Sequence, residues 1–359
     1  MKALVLAGGS GTRLRPFSHS TPKQLVPIAN RPVLEYVLDN IRAVGVTDVG
    51  VIVGDRADQI AEAVGDGSRF GLRLTYLPQD RPRGLAHCVT IARPFLGDDD
   101  FVMYLGDVML PDGIGAVAAE FRAARPAALV AVHRVPDPRA YGVVEMDADG
   151  TVRRLVEKPR RPRSDHVITG VYFFTAAVHE AVAAIRPSAR GELEITDAIQ
   201  WLLSSGASVR ASHYDGFVRD TGKVEDVLDC NRWVLDRLRT DVAGEVDAAS
   251  ELTGPVVVER GARVLGSRIT GPAIIGAGTT LRGCQIGPHT SLGRDCELRD
   301  ARLEYSIVLD GATVTGVRGI HGSLIGRSAH VGAGAARHHR LFIGDHSRVE
   351  VELPAEPAV

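Results

Sequence analysis

Residues 2–13 read KALVLAGGSGTR, and this stretch decides how the first half of the chain is read. The apolar run 2–6 is strand-like and enters a glycine loop, Gly8-Gly9-Ser10-Gly11-Thr12-Arg13. Glycines let a backbone turn sharply and approach a ligand closely. Successive N–H groups can then form an anion nest, and Arg13 can hold phosphate oxygens bidentately. The spacing is neither G-x-x-x-x-G-K-[ST] nor G-x-G-x-x-G, so on its own the loop fits a plain tight turn equally well. Lys23 and Gln24, in TPKQLVP, shift the balance toward function. A lysine brings a point charge to phosphate, and a glutamine can read an amide-like edge of a base.

The same alternation continues outward. Val33, Leu34, Val37, Leu38, Ile41 and Val44 recur at helical spacing, with Pro32 suited to the first turn and Gly45 to the stop. Strands are expected at 49–53, near Leu72, Leu74 and Tyr76, and at 101–105, 129–133, 141–146, 152–156 and 167–174. Nearly unbroken apolar strands between helices indicate an α/β fold, its mixed, mostly parallel sheet covered on both faces. Thr196 is the expected cap of a helix through Trp201 and Leu203, and another helix is expected over 224–239.

After Val246 the period changes. Val258, Val264, Ile269, Ile275, Leu281, Ile286, Leu292, Leu298, Leu303, Leu309, Val314, Ile320, Ile325 and Val331 follow one another at five- or six-residue steps, often with glycine next. Helices do not repeat at that interval; short strands joined by tight turns do. A parallel β-helix is the reading, ahead of a glycine-rich sandwich. The tail 338–351 holds one or two more strands, and its histidines carry no metal-binding motif.

The 359 residues suggest two domains, divided at 1–240 and 241–359. The 42 basic and 44 acidic side chains leave no basic excess, which argues against nucleic-acid binding. No apolar run is long enough to span a bilayer, and the early glycines do not suit a signal peptide. A cytoplasmic protein without membrane association is expected. Cys88, Cys230, Cys284 and Cys296 lack C-x-x-C pairing, so neither a zinc site nor a disulfide scaffold is expected.

The segment LAGGSGTRLRPFSHSTPKQLVPIANRP (6–32) resembles the signature of sugar-1-phosphate nucleotidyltransferases, most nearly the long form of the glucose-1-phosphate thymidylyltransferases. The resemblance continues in order through YLPQDRPRGLAH (76–87), YLGD (104–107), YGVVE (141–145), EKP (157–159), TGVYFF (169–174), ARGELEITD (189–197) and RDTG (219–222). It implies a Rossmann-like nucleotidyltransferase domain followed by a left-handed parallel β-helix, of the kind found in antibiotic deoxysugar pathways. It also implies transfer of dTMP from dTTP to glucose 1-phosphate with Mg²⁺ as cofactor.

By the resemblance, Asp107 and Asp220 hold the metal, a task suited to carboxylates that leave positions for phosphate and water. Alone, each would be read as a turn or helix-flanking residue. Arg13, Lys23 and Lys158 serve as catalytic cations. Gly8, Gly9, Ser10, Gly11, Thr12, Gln24, Gln79 and Gly84 contact the nucleotide. Val108, Gly142, Glu157, Thr169 and Glu192 surround the sugar. Two departures stand out: Val108 replaces the family's usual Asn after LGD, and Gly216-Phe217-Val218 precedes RDTG where aromatic residues are usual. They leave open UTP, or a modified sugar or cyclitol phosphate, as substrates. A non-catalytic regulatory or assembly protein would have lost a charged site residue, and none is lost. An acyltransferase in the β-helix finds no constellation, because His289, His321 and His330 have turn-like surroundings. The expected assembly is a homo-oligomer, with the β-helix as its candidate contact surface.

Overall fold

The computed structural model describes residues 1–9, 11–332, 341–345 and 348–350. They fall into two compact units: Met1–Ser10 with Val33–Arg219, and Gly11–Pro32 with the chain from Asp220 onward.

The first unit is built on a nine-stranded mixed sheet. Its strands are β1 (Lys2–Leu6), β2 (Asp48–Val53), β3 (Arg73–Pro78), β4 (Phe101–Leu105), β5 (Ala128–Arg134), β6 (Gly142–Met146), β7 (Val152–Glu157), β8 (His166–Phe174) and β9 (Val209–His213). The main order is β7-β6-β8-β4-β1-β2-β3, and β5 joins β8 to β9. Strands β4, β1, β2 and β3 run parallel; β8 runs antiparallel to its neighbours. The central strand β1 is buried on both faces, as its unbroken apolar run requires.

Helices α1 (Val33–Ala43), α2 (Ala57–Val64), α3 (Leu85–Leu96), α4 (Gly115–Ala124), α5 (Val178–Ala184) and α6 (Ile195–Ser204) complete this unit. Pro32 lies in a two-residue strand just before α1 rather than in its first turn. Thr196 does not cap α6. Glu194 stands at the N-cap, and Thr196 lies inside the first turn with its hydroxyl turned to Glu157 at the end of β7. The side-chain bond across to the strand displaces the local cap.

In the second unit, three parallel sheets of seven, seven and five strands stack into a left-handed β-helix. Val258, Ile275 and Leu292 pair in register, a period of 17 residues (275 − 258). Val264, Leu281, Leu298, Val314 and Val331 form a second ladder. Ile269, Ile286, Leu303 and Ile320 form the third. Three faces of five or six residues thus make one coil. One coil is a residue short: Leu292 pairs with Val308, which takes the core position expected for Leu309. The expected extra strands are present as Phe342–Ile343 and Arg348–Glu350. The tail histidines His338, His339 and His346 lie outside the described residues.

Helix α7 (Val224–Leu235) also belongs to this unit, and its end tightens into turns through Leu238 instead of continuing to 239. All four cysteines are buried free thiols. Among the described residues no helix is long and apolar enough to cross a membrane.

Candidate active site

Register places the chemistry of the first unit. Leu6 of β1 is level with Ile52 of β2 and Leu105 of β4, and Val53 is level with Pro78 of β3. Gly8, Gly9, Gln79 and Asp107 therefore leave the sheet at one edge, the carboxyl ends of parallel strands where α/β proteins bind ligands. A Cβ built on Gly8 would stand 3.3 Å from Gln79 Oε1, so a glycine is what lets the loop and this amide approach. Ser10 lies outside the described residues. Asp107 follows Gly106, whose N–H donates to Leu6 O at 3.0 Å, and is only 6% exposed.

Gln79 is oriented from α3, which the sequence reading did not single out. Its Nε2 stands 3.3 Å from His87 Nδ1 and 3.4 Å from Cys88 Sγ. Burial pushes the Cys88 thiol up to about 12, so it stays neutral beside the amide. Gly84 has φ +102°, and a Cβ there would fall 2.4 Å from Leu193 O. The Leu193 N–H donates to Arg83 O at 2.8 Å. The 79–84 and 192–194 segments are thereby locked together.

A second cluster forms around Glu157. Gly142 is its register partner, and a Cβ on Gly142 would stand 3.3 Å from Glu157 Oε2. Thr196 Oγ1 donates to that oxygen at 3.2 Å. Arg190 Nη1 donates to Glu157 Oε1 at 3.3 Å, and Arg190 Nη2 to Glu192 Oε1 at 2.9 Å. Lys158 Nζ is 3.6 Å from Glu157 Oε1. Glu194 is buried beside them; burial and the neighbouring Glu157 hold its carboxyl above the ordinary value, against the bond from Ser188. Arg190, Glu194 and Thr196 were not chosen from sequence, although all lie within ARGELEITD. Their signal was a motif, and the partner Glu157 is more than 30 positions away.

Thr169 completes this side. Strand β8 changes register between Ile168 and Tyr172, as a bulge does when it re-aims a side chain. Thr169 is 4% exposed, and its hydroxyl has no hydrogen-bond partner in the structure. The next residue, Gly170, has φ +94°, and a Cβ there would stand 3.1 Å from Val108 Cγ2. Val108 is itself buried.

The second unit carries the remaining charges. Thr12 and Arg13 occupy one 3₁₀ turn, and Lys23 and Gln24 another. A Cβ on Gly11 would stand 3.1 Å from Lys23 Cβ, so the two turns pack closely. Arg13 Nη2 donates to Asp220 Oδ2 at 3.2 Å, and the Gly222 N–H donates to Asp220 Oδ1. Gln24 is fully buried, and neither atom of its amide has a partner in the structure. Buried polar groups are normally satisfied. Gln24 and Thr169, expected to meet nucleotide and sugar, are among the buried residues whose polar atoms have no hydrogen-bond partner in the structure.

Asp107 and Asp220 offer hard carboxylate oxygens, the donor chemistry of Mg²⁺. Among the described residues no group of three or more His, Cys, Asp and Glu is arranged to hold a metal. Each of the two aspartates is a carboxylate, the donor type that holds Mg²⁺ together with water and phosphate oxygens.

The open-edged sheet, its glycine loop and the clusters of cations and carboxylates define a phosphate-handling α/β enzyme fused to a β-helix. A family model, Nucleotidyl transferase, matches residues 2–237. A glucose-1-phosphate thymidylyltransferase of Streptomyces griseus is 55% identical over 98% of this chain and 99% of its own. One from Streptomyces antibioticus is 54% identical over 98% and 100%. A crystal structure of UDP-glucose pyrophosphorylase with UDP-glucose shares the fold at 21% identity and a TM-score of 0.60, covering 66% of this chain and 98% of that one. The chain belongs to the nucleotidyl transferase family, in the long form of the glucose-1-phosphate thymidylyltransferases.

Proposed function

We propose that this protein transfers dTMP from dTTP to glucose 1-phosphate, giving dTDP-glucose and pyrophosphate. The full-length likeness to the two Streptomyces thymidylyltransferases carries the reading. An anionic phosphate oxygen of glucose 1-phosphate attacks the α-phosphorus of dTTP. The new P–O bond forms as the bond to the bridging oxygen breaks, and that oxygen leaves with pyrophosphate. The nucleophile is already an anion at neutral pH, so no general base is needed. Rate enhancement then comes from positioning and from offsetting charge.

In this reading Gln79 and Gln24 address the nucleotide, and the glycine loop with Arg13 takes the leaving phosphates. Lys158 orients the attacking phosphate, and Lys23 adds positive charge to the cluster. Glu157, held by Thr196 and Arg190, takes sugar hydroxyls, with Thr169, Gly142 and Glu192 around it. Asp107 and Asp220 would hold Mg²⁺, which would supply positive charge to the phosphates. We also assign the protein to the cytoplasm, where nucleoside triphosphates are made, and to a homo-oligomeric state with the β-helix as contact surface.

Incubation with dTTP, glucose 1-phosphate and Mg²⁺ should release pyrophosphate and form a dTDP-sugar. Omission of Mg²⁺ should abolish turnover. Absence of turnover across all four common NTPs and a panel of hexose 1-phosphates would overturn the assignment.

A further inference from the structure

The segment that bears Arg13, Lys23 and Gln24 is compact with the β-helix, not with the chain that flanks it in sequence. Two sets of side-chain bonds account for this. At the far end of the segment, the Ala29 N–H donates to Asn231 Oδ1 at 2.8 Å. Asn231 is fully buried in α7, and it also accepts from Ser291 Oγ at 2.8 Å and donates through Nδ2 to His289 O at 3.3 Å. One side chain thus joins the segment, the helix and a β-helix coil, with both ends of its amide used. Asn30 Nδ2 adds a bond to Leu292 O at 2.7 Å. Ala29, Leu235 and Ile274 close an apolar contact beside it.

The second set holds the middle of the segment. Ser20 Oγ donates to Asp345 Oδ2 at 2.6 Å. The other oxygen of Asp345 accepts the Arg327 N–H at 2.7 Å, and Arg327 Nη1 donates to Thr21 Oγ1 at 2.8 Å. Asp345 and Arg327 come from successive β-helix coils. Gly344 adds contact with Pro16, to which a Cβ there would stand 3.3 Å away. The bonded residues 20–21 and 29–30 bracket Lys23 and Gln24, and Pro16 lies close to Arg13 in sequence.

We infer that the β-helix is a positioning scaffold for the phosphate-binding segment Gly11–Pro32, with Asn231 and Asp345 as positioning residues at its two attachment points. The inference rests on the nucleotidyl-transfer reading for its kinetic consequence, but the attachment itself can be measured without turnover. Holding catalytic groups within a fraction of an ångström is where an enzyme gains most from rigidity, because small displacements are costly in rate.

The test compares full-length wild type with Asp345→Ala, Asp345→Asn, Ser20→Ala and Asn231→Ala. Asp345 lies partly exposed on the β-helix, so its replacement leaves the buried core intact even if Asn231→Ala fails to fold. Hydrogen exchange followed by mass spectrometry should show faster exchange over 11–32 in Asp345→Ala and Ser20→Ala, with the sheet of the first unit unchanged. KM for dTTP should rise and kcat should fall, lowering kcat/KM about tenfold in both variants, with melting temperature little altered. Asp345→Asn, which keeps an acceptor oxygen, should recover most of the loss. Unchanged exchange over 11–32 together with unchanged kcat/KM in folded Asp345→Ala and Ser20→Ala would overturn the inference. An inactive wild type that still shows the exchange difference would instead overturn the nucleotidyl-transfer reading and leave the scaffold role standing.

Discussion

Arg13 and Asp220 meet through a 3.2 Å bond from Nη2 to Oδ2, although 207 positions separate them in sequence. Both side chains keep substantial contact with solvent. An exposed pair of this kind contributes about 0–1 kcal/mol. Breaking it therefore costs little, which is compatible with the proposed roles of Asp220 toward Mg²⁺ and of Arg13 toward phosphate.

Gly222 is the residue that makes this pair fit. A Cβ there would stand 2.4 Å from Asp220 Oδ1 and 2.8 Å from Arg13 Nη2. Asp220→Asn should lower kcat/KM at least about 10²-fold by removing the charge of the proposed Mg²⁺ ligand, and Gly222→Ala should lower it by displacing that carboxylate. Circular dichroism should show an intact fold for both. Turnover near wild type in both folded variants would show that this pair has no part in the chemistry.

The two orphaned amide and hydroxyl groups give a cleaner separation of stability from function. Thr169→Val keeps shape and removes a hydroxyl that makes no protein hydrogen bond. Replacing an unsatisfied buried group by an apolar one should leave the free protein as stable or more stable. If the hydroxyl serves the sugar, KM for glucose 1-phosphate should rise about threefold to tenfold, the worth of one hydrogen bond. Gln24→Met should show the same pattern with dTTP. Melting curves and KM values together check both; a drop in melting temperature with unchanged KM would refute the ligand roles.

Acid sensitivity should come from two half-buried histidines. Burial, with help from Arg219, pulls His133 below its ordinary 6.5. Burial, with help from Arg93, does the same to His179. The unfolded chain therefore binds more protons than the folded chain between the lowered values and 6.5. Stability contributed by these neutral rings is full above 6.5 and is lost as pH falls through that window. Melting temperature should decline as pH is lowered from about 7 to 5. His179→Gln should flatten the decline, and an unchanged slope in that variant would exclude His179 as a source.

Much of the fold could be read from period alone. The unbroken run at β1 announced a strand buried on both faces, and the five- or six-residue step announced coils. The slip at Leu309 was invisible because Val308 is equally apolar, so hydrophobicity could not say which of the two faces inward. Thr196 was misread because a threonine before an apolar run is a good cap locally, and only the three-dimensional fold brings Glu157 within its reach. Asn231 gave no signal for the same reason: its partners Ala29 and Ser291 lie 202 and 60 positions away. Side chains that act through distant partners need the fold before they can be recognised.

Val108 is the departure with most bearing on the sugar. It is 4% exposed, and a Cβ on Gly170, the residue after Thr169, would stand 3.1 Å from its Cγ2. Valine contributes no hydrogen bond, so a sugar hydroxyl facing it must rely on backbone or water. Asparagine would restore a donor and an acceptor at similar volume. In the free protein, an unpartnered amide there should cost about 1–3 kcal/mol, read as a lower melting temperature. With glucose 1-phosphate bound, the same amide gains its partner, and kcat/KM should rise. Assaying wild type and Val108→Asn against glucose 1-phosphate and its deoxy analogues checks this directly. Glucose 1-phosphate should be preferred by both, more strongly by the variant. A wild type that prefers a deoxy substrate, with Val108→Asn reversing the preference, would show that valine selects a sugar lacking one hydroxyl. The transfer chemistry proposed would stand in that case, because neither Arg13 nor Lys158 is assigned to the sugar hydroxyls.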